Sequence, residues 1–133
     1  MILDTNYIIA LDDQDPEAIK LSREHDAANL PQRLPATVLS ELYVSVGAGR
    51  IPHENARAYE ELIANLPVID IDENIARRAG AIQGEHLASD TKPDLGLADA
   101  TIAATALVYN ESVVTNDTDD FGSVEGLESV SWK

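Results

Sequence analysis

Five carboxylates fall where an acid could do chemistry: Asp4, Glu41, Asp99, Asp117 and Asp120. Asp4 follows Ile2 and Leu3, which read as a short buried strand, and precedes Tyr7 to Leu11, which open an apolar helix. In a parallel α/β sheet that junction is the carboxyl end of a strand, where ligands bind. Burying a charge there costs on the order of several kcal/mol unless it is paired or coordinates a metal. A plain helix cap is the competing account of Asp4. Glu41 lies beside Leu42, at the edge of a stripe formed by Val38, Leu42 and Val46. A glutamate at the rim of the core would also sit there. Asp99 stands in the first turn of an Ala-rich helix, where the macrodipole alone favours an acid. Asp117 and Asp120 follow a strand that ends at Thr115, in a stretch that would also make an ordinary turn.

Taken together, two acids follow strand ends and two start or edge helices leaving the same sheet edge. Carboxylates brought into one pocket cannot all ionise unless a cation shares the site. Ligands that are all oxygen select a hard ion, Mg²⁺ or Mn²⁺ rather than Zn²⁺. Cys is absent, so there are no thiolate sites and no disulfides. His25, His53 and His86 lack metal-ligand spacing and read as surface or helix-face residues.

The elements that must position these acids alternate. After the first helix, Asp15 caps and Pro16 opens a second that runs to about Ala28. A strand is expected around Ala36, then a helix from Thr37 that Gly47 and Gly49 end. Pro52 opens a helix with Ala56, Tyr59, Ile63 and Leu66 on its apolar face, and Val68 to Ile71 form a strand. Asp72 caps a helix carrying Ile75, Ala79 and Ile82; Ser89 to Gly96 form the loop most suited to move. Leu97 to Val108 is the Ala-rich helix, Ser112 to Thr115 a strand, Asn116 to Phe121 a polar turn, and a last strand lies near Val130. Alternation of this kind implies a parallel sheet with helices on both faces, in one domain spanning residues 1–133.

Charge is the unusual property: 24 Asp plus Glu oppose 9 Lys plus Arg, for a net −15. So many acids cannot all be catalytic. A surface adapted to concentrated salt accounts for them, as a halophilic protein would show; a surface shaped for a basic partner is the alternative. On charge alone nucleic acid is an unexpected substrate. No apolar run is long enough to span a membrane, and no basic leader precedes the first apolar stretch. With Cys absent, this gives a cytoplasmic expectation and no membrane partner.

Leu3-Asp4-Thr5-Asn6, Glu41 in its apolar helix, Leu97-Ala98-Asp99-Ala100-Thr101-Ile102-Ala103-Ala104-Thr105-Ala106 and Val114-Thr115-Asn116-Asp117-Thr118-Asp119-Asp120-Phe121 resemble the PIN-domain ribonucleases, most closely the VapC toxin group. The motifs arrive in family order from end to end of the chain. The resemblance implies a Rossmann-like sheet with strands ordered 3-2-1-4-5. It carries metal-binding roles onto Asp4, Glu41, Asp99 and Asp117, a supporting catalytic role onto Asp120, and site-lining roles onto Thr5, Asn6 and Thr115. Family members often have Asn where this chain has Asp117, so either Asp117 or Asp120 completes the site.

The function implied is a metal-dependent endoribonuclease in which water, activated by one or two Mg²⁺ or Mn²⁺, attacks an RNA phosphodiester in line. A homodimer and a cognate antitoxin that blocks the site are implied as partners. Arg23, Arg33, Arg50 and Arg57 are candidates for contacting RNA. The alternative is a catalytically weak PIN domain acting as an RNA- or protein-binding module. A phosphoacceptor receiver domain would want a Lys after a late strand, and Lys20, Lys92 and Lys133 are misplaced for it. A haloacid-dehalogenase-like phosphatase would want an acid where Asn6 stands.

Overall fold

Ile2 and Leu3 form β1, a strand of two residues with no more than 1% of either exposed. The computed structural model describes residues 1–49 and 53–133; Arg50 and the helix start expected at Pro52 lie outside them. β1 pairs in parallel with β4 (Val113–Val114), and β4 pairs in parallel with β5 (Ser129–Val130). On the other side β2 (Leu34–Pro35) pairs in parallel with β3 (Val68–Ile69). The β2–β3 ladder meets β1 at a single parallel bridge between Ile2 and Arg33, where Leu3 N donates to Arg33 O at 3.0 Å. The strands therefore follow one another as β3-β2-β1-β4-β5, with the β2–β1 seam the thinnest.

Among the described residues seven helices make the connections: α1 (Thr5–Asp12), α2 (Pro16–Ala27), α3 (Ala36–Gly47), α4 (His53–Ile63), α5 (Glu73–Ala88), α6 (Leu97–Tyr109) and α7 (Thr118–Gly122). The chain moves outward from β1 in both directions, and crossovers of one hand then place helices on both faces. β1 has β2 on one side and β4 on the other. The carboxyl ends of β1 and β4 thus flank the point where strand order reverses, which is where open α/β sheets bind ligands.

Local chemistry sets most boundaries. Asp15 Oδ1 accepts from Glu17 N at 2.9 Å and from Ala18 N at 3.2 Å, with Pro16 at the start of α2. Asp72 Oδ1 accepts from Ile75 N at 2.8 Å and starts α5. Gly49 follows α3 with φ +72, and Asn110 ends α6 with φ 54, a left-handed turn that Gly and Asn tolerate best.

Some expectations shift. The second strand ends at Pro35, because Pro35 lacks an N–H to continue the ladder and α3 begins at Ala36. The third strand stops at Ile69, leaving Asp70 and Ile71 exposed, and Leu66 lies beyond the end of α4. The turn from Asn116 to Phe121 contains the short helix α7, held because Phe121 is fully buried.

The core runs from Ile2, Leu3, Val113 and Val114 into Tyr7, Ile8, Leu34 and Ile102. Ala100, Ala103, Ala104 and Ala106 are completely buried along α6, which packs against α5 and the sheet. Methyl-sized side chains let these backbones approach closely, and interiors this dense leave no slack. Replacing Ala104 by Leu is therefore expected to destabilise the fold by about 1–3 kcal/mol through overpacking. Urea unfolding of wild type and Ala104→Leu measures it, and equal midpoints would mean that α6 is loosely seated.

Candidate metal centre

Asp4 is both a cap and a buried acid. Its Oδ1 accepts from Thr5 N at 2.8 Å at the start of α1, and its Oδ2 accepts from Thr115 Oγ1 at 2.7 Å. Only 3% of Asp4 is exposed. Burial pushes its carboxyl up to about 6; the Thr115 and Thr5 hydrogen bonds oppose this, and the neighbouring charges of Glu41 and Asp117 add to it. Two threonines tie the other elements to this point. Thr5 Oγ1 donates to Glu41 Oε1 at 2.7 Å, which joins α1 to α3. Thr115 Oγ1 accepts from Asp117 N at 3.0 Å while donating to Asp4, which joins the carboxyl ends of β1 and β4. Asn6 is exposed on the first turn of α1.

Asp99 lies in the first turn of α6, a helix whose N-cap, Gly96, has no side chain to offer. Burial pushes Asp99 up to about 6, helped by the charges of Asp4, Glu41, Asp117 and Asp120 in that order. Asp117 occupies the N-cap position of α7 yet makes no capping bond with its side chain. Asp120, one turn on, is raised by burial and then by the adjacent Asp117. Asp99, Asp117 and Asp120 each present an oxygen, all within 4.8 Å of one another.

Two contacts keep this corner rigid. Phe121 is fully buried, worth roughly 1.5–3 kcal/mol for a side chain of this kind, and pins α7. Asn116 Oδ1 accepts from Ser131 Oγ at 2.6 Å and from Trp132 N at 3.2 Å, pinning the turn to the end of the chain. Trp132 in turn packs against Tyr7, ring centroids 5.1 Å apart.

All five predicted acids therefore face one another at a single sheet edge. The tightest grouping among the described residues contains Asp120 together with Asp99 and Asp117, while Asp4 and Glu41 stand alongside, bound to threonines. Among the described residues no Lys or Arg forms an ion pair with any of the five. An oxygen-only donor set, crowded enough to hold two of its members near 6 and lacking a protein cation, fits a hard divalent metal.

The Arg and His residues of the described chain have definite places in the fold. Arg33 lies at the amino ends of the strands, ion-paired with Glu111 and stacked 4.4 Å from the Tyr109 ring centroid, so it braces the edge opposite the acids. Arg23 and Arg57 are exposed on α2 and α4. His25 and His86 are buried rather than superficial, 6% and 1% exposed, and the side chain of His53 lies outside those described. His86 extends the Ile75, Ala79, Ile82 stripe of α5 by one more turn, a signal that helical spacing alone carries.

Comparison with known proteins bears on the family and the fold. The chain is 29% identical to the tRNA(fMet)-specific endonuclease VapC of Shigella flexneri, over 98% of this chain and 96% of that one. DNA-bound VapBC from Salmonella typhimurium superposes with a TM-score of 0.82 at 26% identity, covering 99% of this chain and 97% of that one. VapBC2 from Rickettsia felis, bound to a DNA fragment from its promoter, shares the fold with a TM-score of 0.86 at 23% identity, covering 99% and 98%. The family model for the PIN domain matches residues 1–127, and the chain belongs to that family.

Proposed function

We propose that this protein is a VapC-like toxin, a metal-dependent endoribonuclease that hydrolyses RNA phosphodiesters. The observation that carries the reading is the convergence of Asp4, Glu41, Asp99, Asp117 and Asp120 at one sheet edge with no Lys or Arg ion-paired to them among the described residues. Asp99, Asp117 and Asp120 would hold a Mg²⁺ or Mn²⁺, with Asp4 and Glu41 beside them. Such an ion, when bound, lowers the pKa of a coordinated water and neutralises charge on a phosphate. The chain's own contribution is positional. Thr115 holds Asp4 and the Asp117 turn in one register, Thr5 holds Glu41, and α6 and α7 deliver Asp99 and Asp120 from their first turns.

A strongly acidic protein can take a polyanionic substrate if the phosphate is held through the metal. Few Lys and Arg contacts also mean a shallow loss of affinity as salt rises. The relatives that are VapBC complexes support an antitoxin as partner, and a basic side chain from it would find these carboxylates uncompensated. A homodimer belongs to the same reading and is checked by sedimentation. The binding-module alternative predicts RNA retention without cleavage.

Cleavage of labelled RNA, including initiator tRNA, with and without Mg²⁺ or Mn²⁺ in high salt is the direct test. Asp4→Asn and Asp99→Asn are each expected to abolish it. Both acids have folded values near 6 against an ordinary 3.8, so the folded state binds their protons more tightly than the unfolded chain. The contribution of these two carboxyls to the stability of the metal-free protein is therefore fully present below about pH 4 and is lost as pH rises through about 6. The Asn variants should flatten that fall and melt at or above the wild-type temperature at pH 7. A lower melting temperature with retained cleavage would make the acids structural caps.

Asp117→Ala is expected to lose cleavage and Mn²⁺ affinity more completely than Asp120→Ala, because Thr115 fixes its backbone N–H at the strand end. Mn²⁺ titration calorimetry of the two variants decides the ranking, and the reverse order would make Asp120 the principal ligand of this turn.

The net charge of −15 leads to a further expectation. Screening of self-repulsion should raise the melting temperature and preserve cleavage from low to molar KCl. Full stability at low salt with a steep loss of activity on adding KCl would refute a salt-adapted surface.

A further inference from the structure

His86 has a place in the fold that the five acids do not explain. It sits in the last turn of α5, 1% exposed, on the same face as Ile75, Ala79 and Ile82. A buried imidazole must satisfy its nitrogens, and Nδ1 lies 3.0 Å from Pro93 O. A carbonyl can only accept, so Nδ1 carries the proton and the remaining nitrogen is free to face elsewhere.

Pro93 belongs to the segment between α5 and α6, whose last residue, Gly96, starts α6 three residues before Asp99. That segment is braced elsewhere as well. Ser89 Oγ accepts from Thr91 N at 3.2 Å and from Lys92 N at 3.0 Å, and Leu95 is buried. These braces bear on its beginning and end; His86 holds the middle. A cavity of about 320 Å³ is lined by His86 and Ile82 of α5, Leu107 of α6, and Val124 and Glu125, which follow α7, so these three parts of the chain meet beside His86.

We propose that His86 is a positioning residue for the acidic site: by tying Pro93 O to the end of α5, it fixes where α6 begins and hence where Asp99 stands. The proposal rests on the metal-site reading above, and it concerns geometry. Gly96 cannot fix the helix start through a side chain, so the approach path of the chain must do so. Groups that orient metal-binding side chains without touching the metal typically change affinity by roughly 10–100-fold when removed.

The test compares His86→Leu, His86→Asn and His86→Gln with wild type. Asn puts an amide nitrogen near the position of Nδ1, whereas Gln reaches further and puts it near Nε2. Two readouts apply: Mn²⁺ affinity by calorimetry, and amide hydrogen exchange of residues 94–100 in the metal-free protein. His86→Leu and His86→Gln are expected to weaken Mn²⁺ binding about 10–100-fold and to speed exchange in that segment, and His86→Asn to restore both to within a few-fold of wild type. A His86→Leu protein that folds and matches wild type in both readouts overturns the proposal, as does equal behaviour of the Asn and Gln variants. If His86→Leu does not fold, the Asn and Gln pair decides. Wild-type protein that binds no Mn²⁺ would instead overturn the metal-site reading, while the exchange comparison would still judge the tether.

Discussion

Uncompensated negative charge at the carboxyl ends of β1 and β4 is the constraint on which the rest of the structure depends. Asp4 and Asp99 are held near 6 by burial and by neighbouring carboxylates, in a chain that places no Lys or Arg in an ion pair with them among the described residues. Concentrating charge there opposes folding, and the surrounding elements are arranged to tolerate it. Three helices, α1, α6 and α7, begin at the site, and the positive end of each helix dipole faces acids. Hydroxyls of Thr5 and Thr115 donate into the carboxylates rather than leaving them bare.

The scaffold beneath is short in every direction. Each strand is two residues long, and β2 reaches β1 through one bridge. Sheet hydrogen bonds alone could not hold so small a ladder in register. Fully buried apolar side chains do that, with the alanine face of α6 allowing the closest approach. At the opposite edge Arg33, Glu111 and the amino group of Met1 form a compact ion cluster. Among the described residues, positive charge is thus ion-paired at the amino ends of the strands and not at the carboxyl ends. This polarity is what makes one edge of the sheet a site for cations.

The excess of acids elsewhere is a different matter from the site. Most of it lies exposed, where water and salt screen it and where single ion pairs such as Lys20–Glu24, at 3.9 Å, contribute little. The site acids differ in being half-buried or buried and close to one another, with Asp4 and Glu41 bound to threonine hydroxyls. Burial and mutual distance, and not the number of carboxylates, separate the chemistry from the surface.

Much of this could be read from the residues. Ile2-Leu3 before Asp4, the caps at Asp15 and Asp72, the helical spacing of α5 and α6 and the apolar pair before Thr115 are local patterns, and local patterns dictate local structure. The motif resemblance extended them to a sheet order, because a parallel sheet with crossovers of one hand has few arrangements. Three things were beyond one dimension. That Asp120 joins Asp99 and Asp117 within 4.8 Å depends on α7, five residues long and held by Phe121. Whether Arg33 met substrate or structure depended on Glu111, which lies 78 residues away in the chain. The burial of His86 required α5, the loop and α7 to close around it. A sequence specifies which side chains share a strand end or a helix face; distances between side chains on different elements arise only when packing brings those elements together.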